Sequence, residues 1–336
     1  MGDSFLEFST GSIVPSTEVQ SASRDLEKNL LEINDPSHGG PLTRLHNEII
    51  SFCENLAPSA EDLKTRDEVV AEISDVAKSL WGEGVQTHMF GSQMTGTATK
   101  TSDVDLTILG CDCPADDTID ALVALADEIK KRDLVSYMEI IPGAKVPIIK
   151  MDHKKSGISL DICCNEATGI QGASVVASLS EDFPPFKYLT LVLKAFLAQR
   201  QLHETYSGGI GSFVLSLMVI SFLQQRLRVH QTITPQSWNL GSLLLDFLNL
   251  YGCTLNYNRC VISIRSGGKY LSKSPGGMNK QLVLSIENPM EPDGPYIGEN
   301  SFLIPKIRRS FEHSLQLLTI ALAKNSSSKS ILATIL

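Results

Sequence analysis

The sequence lacks the features of a membrane or secreted protein. No apolar run in its 336 residues reaches the roughly 18 residues that a membrane-spanning helix needs, so we expect no membrane association. Residues 1–36 are rich in Ser, Asp and Glu, without a basic segment followed by an apolar one. This composition argues against a secretory signal, and we interpret residues 1–36 as a disordered tail.

Cysteine is present, but its spacing is not that of a metal site. The 7 cysteines include no Cys-x₂-Cys pair, which argues against a zinc site. An odd number of cysteines that need not form disulfides fits a reducing compartment, the cytosol or the nucleus.

Positive charge is scarce as well. Lys and Arg number 29 against 38 Asp and Glu, which gives a net charge of −9. A protein that binds a nucleic-acid backbone relies mainly on Lys and Arg, yet the sequence has only the short basic tract Lys306-Ile307-Arg308-Arg309. It also shows no RNA-recognition motif, zinc knuckle or OB-like repeat. We therefore expect a partner to provide most of the binding to a nucleic acid. The alternative is a local groove of Lys and Arg residues in a protein whose net charge is negative.

A Gly-Ser turn followed by two alternating aspartates is the most informative motif. Gly91-Ser92 can bring backbone N–H groups close to a polyphosphate, because glycine tolerates close contact and unusual φ values. Asp103 and Asp105 alternate with apolar residues, so on a strand both carboxylates would lie on one face. Two such carboxylates repel each other unless a cation lies between them, and paired Mg²⁺ ions are typical of phosphoryl-transfer sites. Without the Gly-Ser turn, an acidic strand end at a solvated edge would be the simpler interpretation.

Asp161 supplies a third carboxylate in the same kind of pattern. It alternates with Leu160 and Ile162, which predicts a strand with Asp161 on its polar face. Three acids on neighbouring strands can hold two metal ions about 3.5–4 Å apart. We expect Asp103 and Asp105 to hold the Mg²⁺ that carries a nucleoside triphosphate. Asp161 would share the ion that binds the attacking hydroxyl, or would accept its proton; Mn²⁺ is the expected substitute metal.

At these residues the sequence resembles the DNA polymerase β-like nucleotidyltransferases. Further stretches resemble the central domain and the poly(A)-polymerase-associated segment of the non-canonical poly(A) polymerases: 191–200, 207–213, 240–248, 262–265 and 286–289. The resemblance extends over nearly the whole chain. Within the family it is nearest to the nuclear branch, the catalytic subunits of TRAMP-type RNA surveillance complexes.

The resemblance implies a set of nucleotide contacts. Lys194 would bind the triphosphate, with Ala198 where the family often has a second basic residue, and Phe213 would stack under the base. The alternatives are that Lys194 is an ordinary surface lysine and that Phe213 is an aromatic residue of the core. The full set of expected nucleotide-binding residues is Gly91, Ser92, Ser102, Gly172, Lys194, Ser212, Phe213, Asn288 and Glu291.

We infer the base preference from positions where this sequence differs from the relatives it resembles. Uridylyl-adding relatives have an Asn where this chain has Gly172, and a His in the loop that here spans 287–294 without one. Asn288 and Glu291 remain as polar base contacts. Glu299 stands where poly(A)-adding members commonly have an Arg, so part of the family's loop chemistry differs here. We favour ATP over UTP.

The fold class follows from periodicity and resemblance together. We predict an α/β (α+β) nucleotidyltransferase palm with a small mixed sheet, joined to a mainly helical central domain, with a cleft between them. The predicted domains are 60–175 for the palm, and 37–59 with 176–325 for the central domain. We also predict a helix cap at 59–62, a strand over 145–151, a surface excursion at 266–277 and a nucleotide-facing loop at 289–298.

The resemblance implies a polynucleotide adenylyltransferase that adds AMP from ATP to the 3′ end of RNA in nuclear RNA surveillance and decay. Its expected partners are a zinc-knuckle RNA-binding protein and an RNA helicase. Alternatives are a terminal uridylyltransferase and, from another class, an inactive scaffold of an RNA-decay assembly. A cytoplasmic location is the alternative to the nucleus, ahead of a mitochondrial one.

Overall fold

The computed structural model describes residues 39–113, 118–229, 238–273, 283–291, 293–324 and 329–336. The predicted tail at 1–36 lies outside these residues. The chain divides into two compact units. We name Leu56–Ser178 the sheet unit, and the chain up to Asn55 together with Leu179–Leu336 the helical unit. Among the described residues, no helix is long and apolar enough to cross a membrane.

The helices and strands follow the hydrophobic periodicity of the sequence. The α-helices of the described residues are α1 (Pro41–Leu56), α2 (Ala60–Trp81), α3 (Gly91–Met94), α4 (Thr118–Lys131), α5 (Thr168–Ser180), α6 (Pro185–Gln199), α7 (Ser212–Val229), α8 (Leu240–Asn249) and α9 (Ile304–Lys324). The strands are β1 (Gln86–Met89), β2 (Val104–Leu109), β3 (Val135–Ile141), β4 (Ile148–His153), β5 (Ser159–Cys164), β6 (Cys260–Ser263) and β7 (Lys269–Ser272).

The sheet unit is built on a five-stranded sheet in the order β1-β2-β5-β4-β3. β2 and β5 pair in parallel, whereas the other neighbours are antiparallel. The predicted mixed sheet is therefore confirmed. One strand begins later than we expect from the sequence, at Ile148 and not at Lys145, because Pro147 has no N–H to donate to a sheet ladder.

A core of apolar side chains fixes the two central strands of the sheet. Leu106 of β2 and Leu160 of β5 are fully buried, and they join Ile73 of α2 and Leu125 of α4 in one cluster. Burial of side chains of this size stabilises a fold by roughly 1.5–3 kcal/mol each. Because side chains alternate across a strand, the polar residues of β2 and β5 lie on the opposite face.

The start of α2 shows how the sequence fixes a helix end. The Ser59 hydroxyl accepts a hydrogen bond from the Asp62 backbone N–H at 3.1 Å, and the Asp62 carboxylate accepts one from the Ser59 backbone N–H at 2.8 Å. This capping box satisfies two N–H groups at the start of the helix. The hydrogen bonds from Ser59 lower the pKa of Asp62. The cap that the sequence predicts at Ser59 is confirmed.

A short hairpin in the helical unit adds a strand to the predicted surface excursion. Lys269–Ser272 forms β7, which pairs antiparallel with β6 and sets Tyr270 opposite Ile262. All four residues are exposed or half-exposed, and the glycines before them form the turn of the hairpin. The predicted excursion also includes residues 274–277, which lie outside the described residues.

Aromatic side chains form the centre of the helical unit. The ring of Phe247 lies 5.6 Å from that of Phe222, 4.6 Å from that of Tyr251 and 5.8 Å from that of Phe311, centroid to centroid. Phe311 in turn packs on Phe196 at 5.6 Å. Such pairs stabilise a core beyond the area they bury. Side chains from α6, α7, α8 and α9 therefore share one aromatic cluster.

We predict that Phe247→Ala lowers the free energy of unfolding by about 3–5 kcal/mol, because it leaves a cavity in this cluster. Urea denaturation followed by fluorescence and circular dichroism measures the change. Phe302→Ala is the matched control: Phe302 is exposed, so its removal should change stability by less than about 0.5 kcal/mol. Equal losses in the two variants would contradict the assignment of the core.

Candidate functional site

The parallel pairing of β2 with β5 sets two of the predicted aspartates side by side. Asp105 and Asp161 are direct Cα partners in this pairing, and neighbouring strands lie about 4.8 Å apart. Asp103 lies one residue before β2 begins at Val104. The three predicted carboxylates therefore come from two adjacent strands, on the face opposite the buried leucines.

Gly91 lies directly against one of these carboxylates. A Cβ atom at this position would stand 2.1 Å from Oδ2 of Asp105, and the φ of Gly91 is +62°. Phe90 continues the β1–β2 ladder, because its N–H donates to the Asp105 carbonyl at 3.0 Å. The turn is thus fixed beside Asp105, and glycine is required there by contact with the carboxylate as well as by conformation.

Lys150 belongs to this site, although the sequence analysis missed it. It is the Cα partner of Asp161 in the β4–β5 pairing. Its Nζ lies 3.5 Å from Asp103 Oδ2 and 3.7 Å from Asp161 Oδ1. One signal could have revealed it: Lys150 stands between the buried Ile149 and Met151 on a predicted strand. The ammonium group of Lys150 thus places a positive charge next to Asp103 and Asp161.

The carboxylates suit a hard divalent cation in their chemistry. Mg²⁺ prefers oxygen ligands and is commonly held by one or two carboxylates together with substrate phosphates. Among the described residues, no group of three or more His, Cys, Asp or Glu side chains is placed to hold one metal ion. Asp103, Asp105 and Asp161 are instead spread along two strand ends. The donor set therefore fits ions that also take oxygens from a substrate, and not a site closed by protein ligands alone.

The loop that leads into Asp103 is held by a buried arginine. One guanidinium nitrogen (Nη2) of Arg66 donates to the carbonyls of Thr99 at 2.7 Å, Lys100 at 3.1 Å and Ser102 at 3.2 Å. Burial lowers the pKa of Arg66, although an arginine remains charged at neutral pH. Arg66 therefore fixes the backbone on the N-terminal side of Asp103.

Ser102 contributes to the same loop. Its hydroxyl accepts a hydrogen bond from the Thr99 backbone N–H at 2.9 Å and lies 3.0 Å from the Thr99 hydroxyl. The structure thus gives Ser102 a role in closing the turn before Asp103. Its predicted contact with a nucleotide stays a prediction.

The far end of the β2–β5 pair is also fixed by side chains. Asn165 Oδ1 accepts hydrogen bonds from the backbone N–H groups of Gly110 and Cys111, each at 3.0 Å. The Thr107 hydroxyl donates to the Glu166 carbonyl at 2.7 Å. These contacts join the residues after β5 to β2 and so oppose a shift in the register that pairs Asp105 with Asp161.

The two other predicted contacts in the sheet unit lie on helices. Ser92 is in the single turn of α3, where its carbonyl accepts from the Thr97 N–H at 3.0 Å. Gly172 is buried within α5. Neither position is tested as a nucleotide contact, and both stay predictions.

The remaining predicted contacts lie in the helical unit. Lys194 is half-buried on α6, and Ala198, four residues later, is exposed. Ser212 begins α7, where its carbonyl accepts from the Ser216 hydroxyl at 2.9 Å, and the half-buried Phe213 follows it. The nucleotide roles predicted for Lys194, Ser212 and Phe213 stay predictions.

Glu291 lies in the loop that the sequence predicts to face the nucleotide, and Asn288 directly precedes that loop. The loop is framed by a bridge between Ile286 and Ile297, and no helix occurs in its described residues, which leave out 292. Asn288 Oδ1 accepts from the Met290 N–H at 3.1 Å. Glu291 is exposed. A Cβ atom at Gly294 would stand 2.7 Å from the Glu291 carboxylate.

We predict that Arg66→Met loosens the loop before Asp103, because three backbone carbonyls lose their charged donor. The loss should destabilise the sheet unit by about 2–4 kcal/mol and accelerate amide hydrogen exchange between residues 97 and 103. Mass spectrometry of the exchanged peptides measures this effect. Lys64→Met, at an exposed position of the same helix, should leave exchange unchanged. Slow exchange in both variants would show that Arg66 does not hold the loop.

Two family models match the chain. The model for the central palm domain of mitochondrial-like poly(A) RNA polymerases matches residues 45–180. The model for Cid1 family poly A polymerases matches residues 239–294. Together they span both units of the chain.

Curated relatives agree with this assignment. Poly(A) RNA polymerase CID14 of Cryptococcus neoformans is 32% identical over 86% of this chain and 38% of its own length. Poly(A) RNA polymerase protein 2 of Saccharomyces cerevisiae is 30% identical over 81% of this chain and 47% of its own length. The chain thus spans less than half the length of these two relatives. The inactive non-canonical poly(A) RNA polymerase protein Trf4-2 of Drosophila melanogaster is 31% identical over 80% of this chain and 67% of its own length.

Solved structures give the same result. The polymerase core of TRAMP, an RNA surveillance complex, superposes with a TM-score of 0.81 and 28% identity, covering 92% of this chain and 98% of that one. The Cid1 poly(U) polymerase shares the fold at a TM-score of 0.70 and 20% identity, covering 86% of this chain and 97% of that one. The resemblance noted in the sequence is therefore confirmed: the chain belongs to the non-canonical poly(A) polymerase family of nucleotidyltransferases.

Proposed function

We propose that the chain is a template-independent RNA 3′-terminal adenylyltransferase, with ATP and an RNA 3′ end as substrates. The observation that carries the proposal is the pairing of Asp105 with Asp161, with Asp103 and Gly91 beside them. Adjacent carboxylates next to a Gly-Ser turn suit the transfer of a nucleotidyl group, because they can hold metal ions whose positive charge balances that of a triphosphate.

Asp103, Asp105 and Asp161 would hold Mg²⁺, or Mn²⁺ as a substitute. The bound ions would supply positive charge to the triphosphate and to the attacking oxygen. In the reaction, the RNA 3′-oxygen forms a bond to the α-phosphorus of ATP, and the bond from that phosphorus to the bridging oxygen breaks. Pyrophosphate leaves with the electron pair of the broken bond. The proton of the 3′-hydroxyl passes to the Asp161 carboxylate, which acts as general base.

In this proposal, Lys150 interacts with the carboxylates of Asp103 and Asp161. Its ammonium group lies 3.5 Å from Asp103 and 3.7 Å from Asp161. At such distances an opposite charge offsets part of the repulsion between neighbouring carboxylates. Lys150 would therefore position the side chains of Asp103 and Asp161 for the reaction.

Nucleotide contacts are also proposed for residues of the helical unit. Lys194 would contact the triphosphate, and Ala198, on the same face of α6, offers no second charge. Ser212 would donate to a phosphate and Phe213 would stack on the base. Asn288 and Glu291 would contact the edge of the base. For the sheet unit, the proposed nucleotide contacts are Gly91, Ser92, Ser102 and Gly172.

We propose ATP as the preferred nucleotide, with UTP as the alternative. Residues 287–294 contain no His, and the relatives of about 30% identity are named as poly(A) RNA polymerases. UTP remains the alternative because the fold is shared with the Cid1 poly(U) polymerase. A side chain that donates a hydrogen bond to only adenine or only uracil would set the preference. A polar pocket rejects a substrate strongly when that substrate leaves one of its hydrogen bonds unmade.

An inactive scaffold is the second candidate, and one observation favours it: the relative Trf4-2 is named as inactive. Three observations favour catalysis in this chain. All three carboxylates are present, two of them are in register on adjacent strands, and Gly91 leaves room for Asp105. A protein that no longer uses the site would have no functional need for this arrangement.

We propose that the chain works in nuclear RNA surveillance together with a zinc-knuckle RNA-binding protein and an RNA helicase. The support is the likeness to the polymerase core of TRAMP and the net charge of −9. An acidic polymerase gains from a basic partner, because RNA affinity depends on phosphate contacts by Lys and Arg. A cytoplasmic location is the alternative.

The proposal predicts that the full chain extends a labelled RNA with ATP in preference to CTP, GTP and UTP when each is supplied alone with Mg²⁺. Asp105→Asn and Asp161→Asn should each lower the rate by roughly three or more orders of magnitude, because they remove charged groups that act as a unit. Denaturing gels of the extended RNA measure the rates.

Asp127→Asn is the matched control, since Asp127 is exposed on α4 and is not one of the three carboxylates of the site. It should extend RNA at the wild-type rate. Preference for UTP would replace the adenylyltransferase by a uridylyltransferase. Absence of extension with every nucleotide, with and without a zinc-knuckle partner, would favour the scaffold.

A further inference from the structure

Two aromatic side chains of the helical unit are exposed to an unusual degree. Tyr206 is 85% exposed and Phe302 is 67% exposed, although large aromatic residues usually bury most of their surface. They are close in the fold. The Phe302 ring covers Gly208, where a Cβ atom would stand 2.4 Å from it, and Tyr206 lies two residues before that glycine.

Backbone hydrogen bonds hold these two segments together. The Leu303 N–H donates to the Gly208 carbonyl at 2.9 Å, and the Gly208 N–H donates to Thr205 at 3.0 Å. Ile304 and Ile307, which follow Phe302, are fully buried. The exposed rings therefore stand on an ordered base, and their exposure does not come from a frayed segment.

Two exposed cations follow Phe302 in the chain and lie on α9. Lys306 and Arg309 are exposed, and residues three apart lie on one face of a helix. Arg308 turns inward instead, because its Nε donates to the Gly252 carbonyl at 3.0 Å. The basic tract noted in the sequence thus divides into one inward and two outward side chains. We name Tyr206, Phe302, Lys306 and Arg309 the aromatic–basic patch.

We propose that the aromatic–basic patch binds single-stranded RNA, with bases stacked on Tyr206 and Phe302 and phosphates held by Lys306 and Arg309. The proposal rests on the proposed function, since it gives the RNA substrate a place on the chain. Aromatic faces next to cations are the usual means of binding a single strand without sequence preference. The exposed rings favour RNA over an acidic protein partner, because bases can stack on aromatic faces while the two cations bind phosphates.

Carboxylates near the patch limit its strength. Glu204 lies 3.0 Å from His203, and Glu299 is exposed. With two cations among these acids, the patch can neutralise only about two phosphates. It would therefore bind a strand weakly alone and add to the grip of a basic partner.

The test measures binding of a fluorescent oligoadenylate to the full chain by anisotropy, at low salt and over a salt series. Tyr206→Ala and Phe302→Ala should each weaken binding roughly 5- to 100-fold through lost stacking. Lys306→Ala with Arg309→Ala should also weaken it, and should reduce the slope of log affinity against log salt by about 1.4, since each phosphate contact contributes about 0.7.

Conservative and distant variants sharpen the result. Phe302→Trp should keep the affinity and Phe302→Leu should lose it, because only the former keeps a ring. Tyr137→Ala in the sheet unit, where Tyr137 is 50% exposed, and Lys64→Ala should bind as the wild type does. A wild type that does not bind RNA at low salt, or patch variants within about twofold of it, would overturn the proposal and leave a protein partner as the occupant.

The same samples keep this proposal separate from the proposed function. RNA binding that depends on the patch, without nucleotide addition by the wild type, would reject the adenylyltransferase and retain the patch. Nucleotide addition by the wild type, with unchanged RNA affinity in every patch variant, would reject the patch alone.

Discussion

Asp105 and Asp161 face each other across two parallel strands, and like charges at that separation repel unless a cation neutralises them. The surrounding structure is arranged around this pair. Gly91 approaches the Asp105 carboxylate without a side chain of its own, and Lys150 brings a positive charge to Asp103 and Asp161. The free energy that opposes the pairing is offset by the apolar core on the other face of the same strands.

The register of the pair is fixed at both ends. Arg66 holds the loop that leads into Asp103, and Asn165 joins the end of β5 to the end of β2. A shift of either strand by one residue would turn its leucine, Leu106 or Leu160, out of the core and its aspartate into it. The hydrophobic effect and a few polar contacts therefore determine the position of the charged groups.

Much of this arrangement could be predicted from the sequence. The alternation around Asp105 and Asp161 predicts strands with both carboxylates on the polar face, and Ser59 with Asp62 predicts the start of α2. Lys150 was missed because its role depends on the β4–β5 register, which the local sequence does not contain. The contact of Phe302 with Gly208 was missed for the same reason: about 90 residues of chain separate the two positions.

Both units support family membership. Because one relative is named as inactive, catalysis has to be argued from the residues of the site itself. The two-metal site at the Asp105–Asp161 pair is the central claim. Electron paramagnetic resonance can count Mn²⁺ ions bound to the chain in the presence of an ATP analogue that cannot be cleaved at the α-phosphorus. We expect about two ions per chain in the wild type and fewer in Asp105→Asn, with the fold intact by circular dichroism. An equal number of ions bound with equal affinity in both proteins would contradict the account.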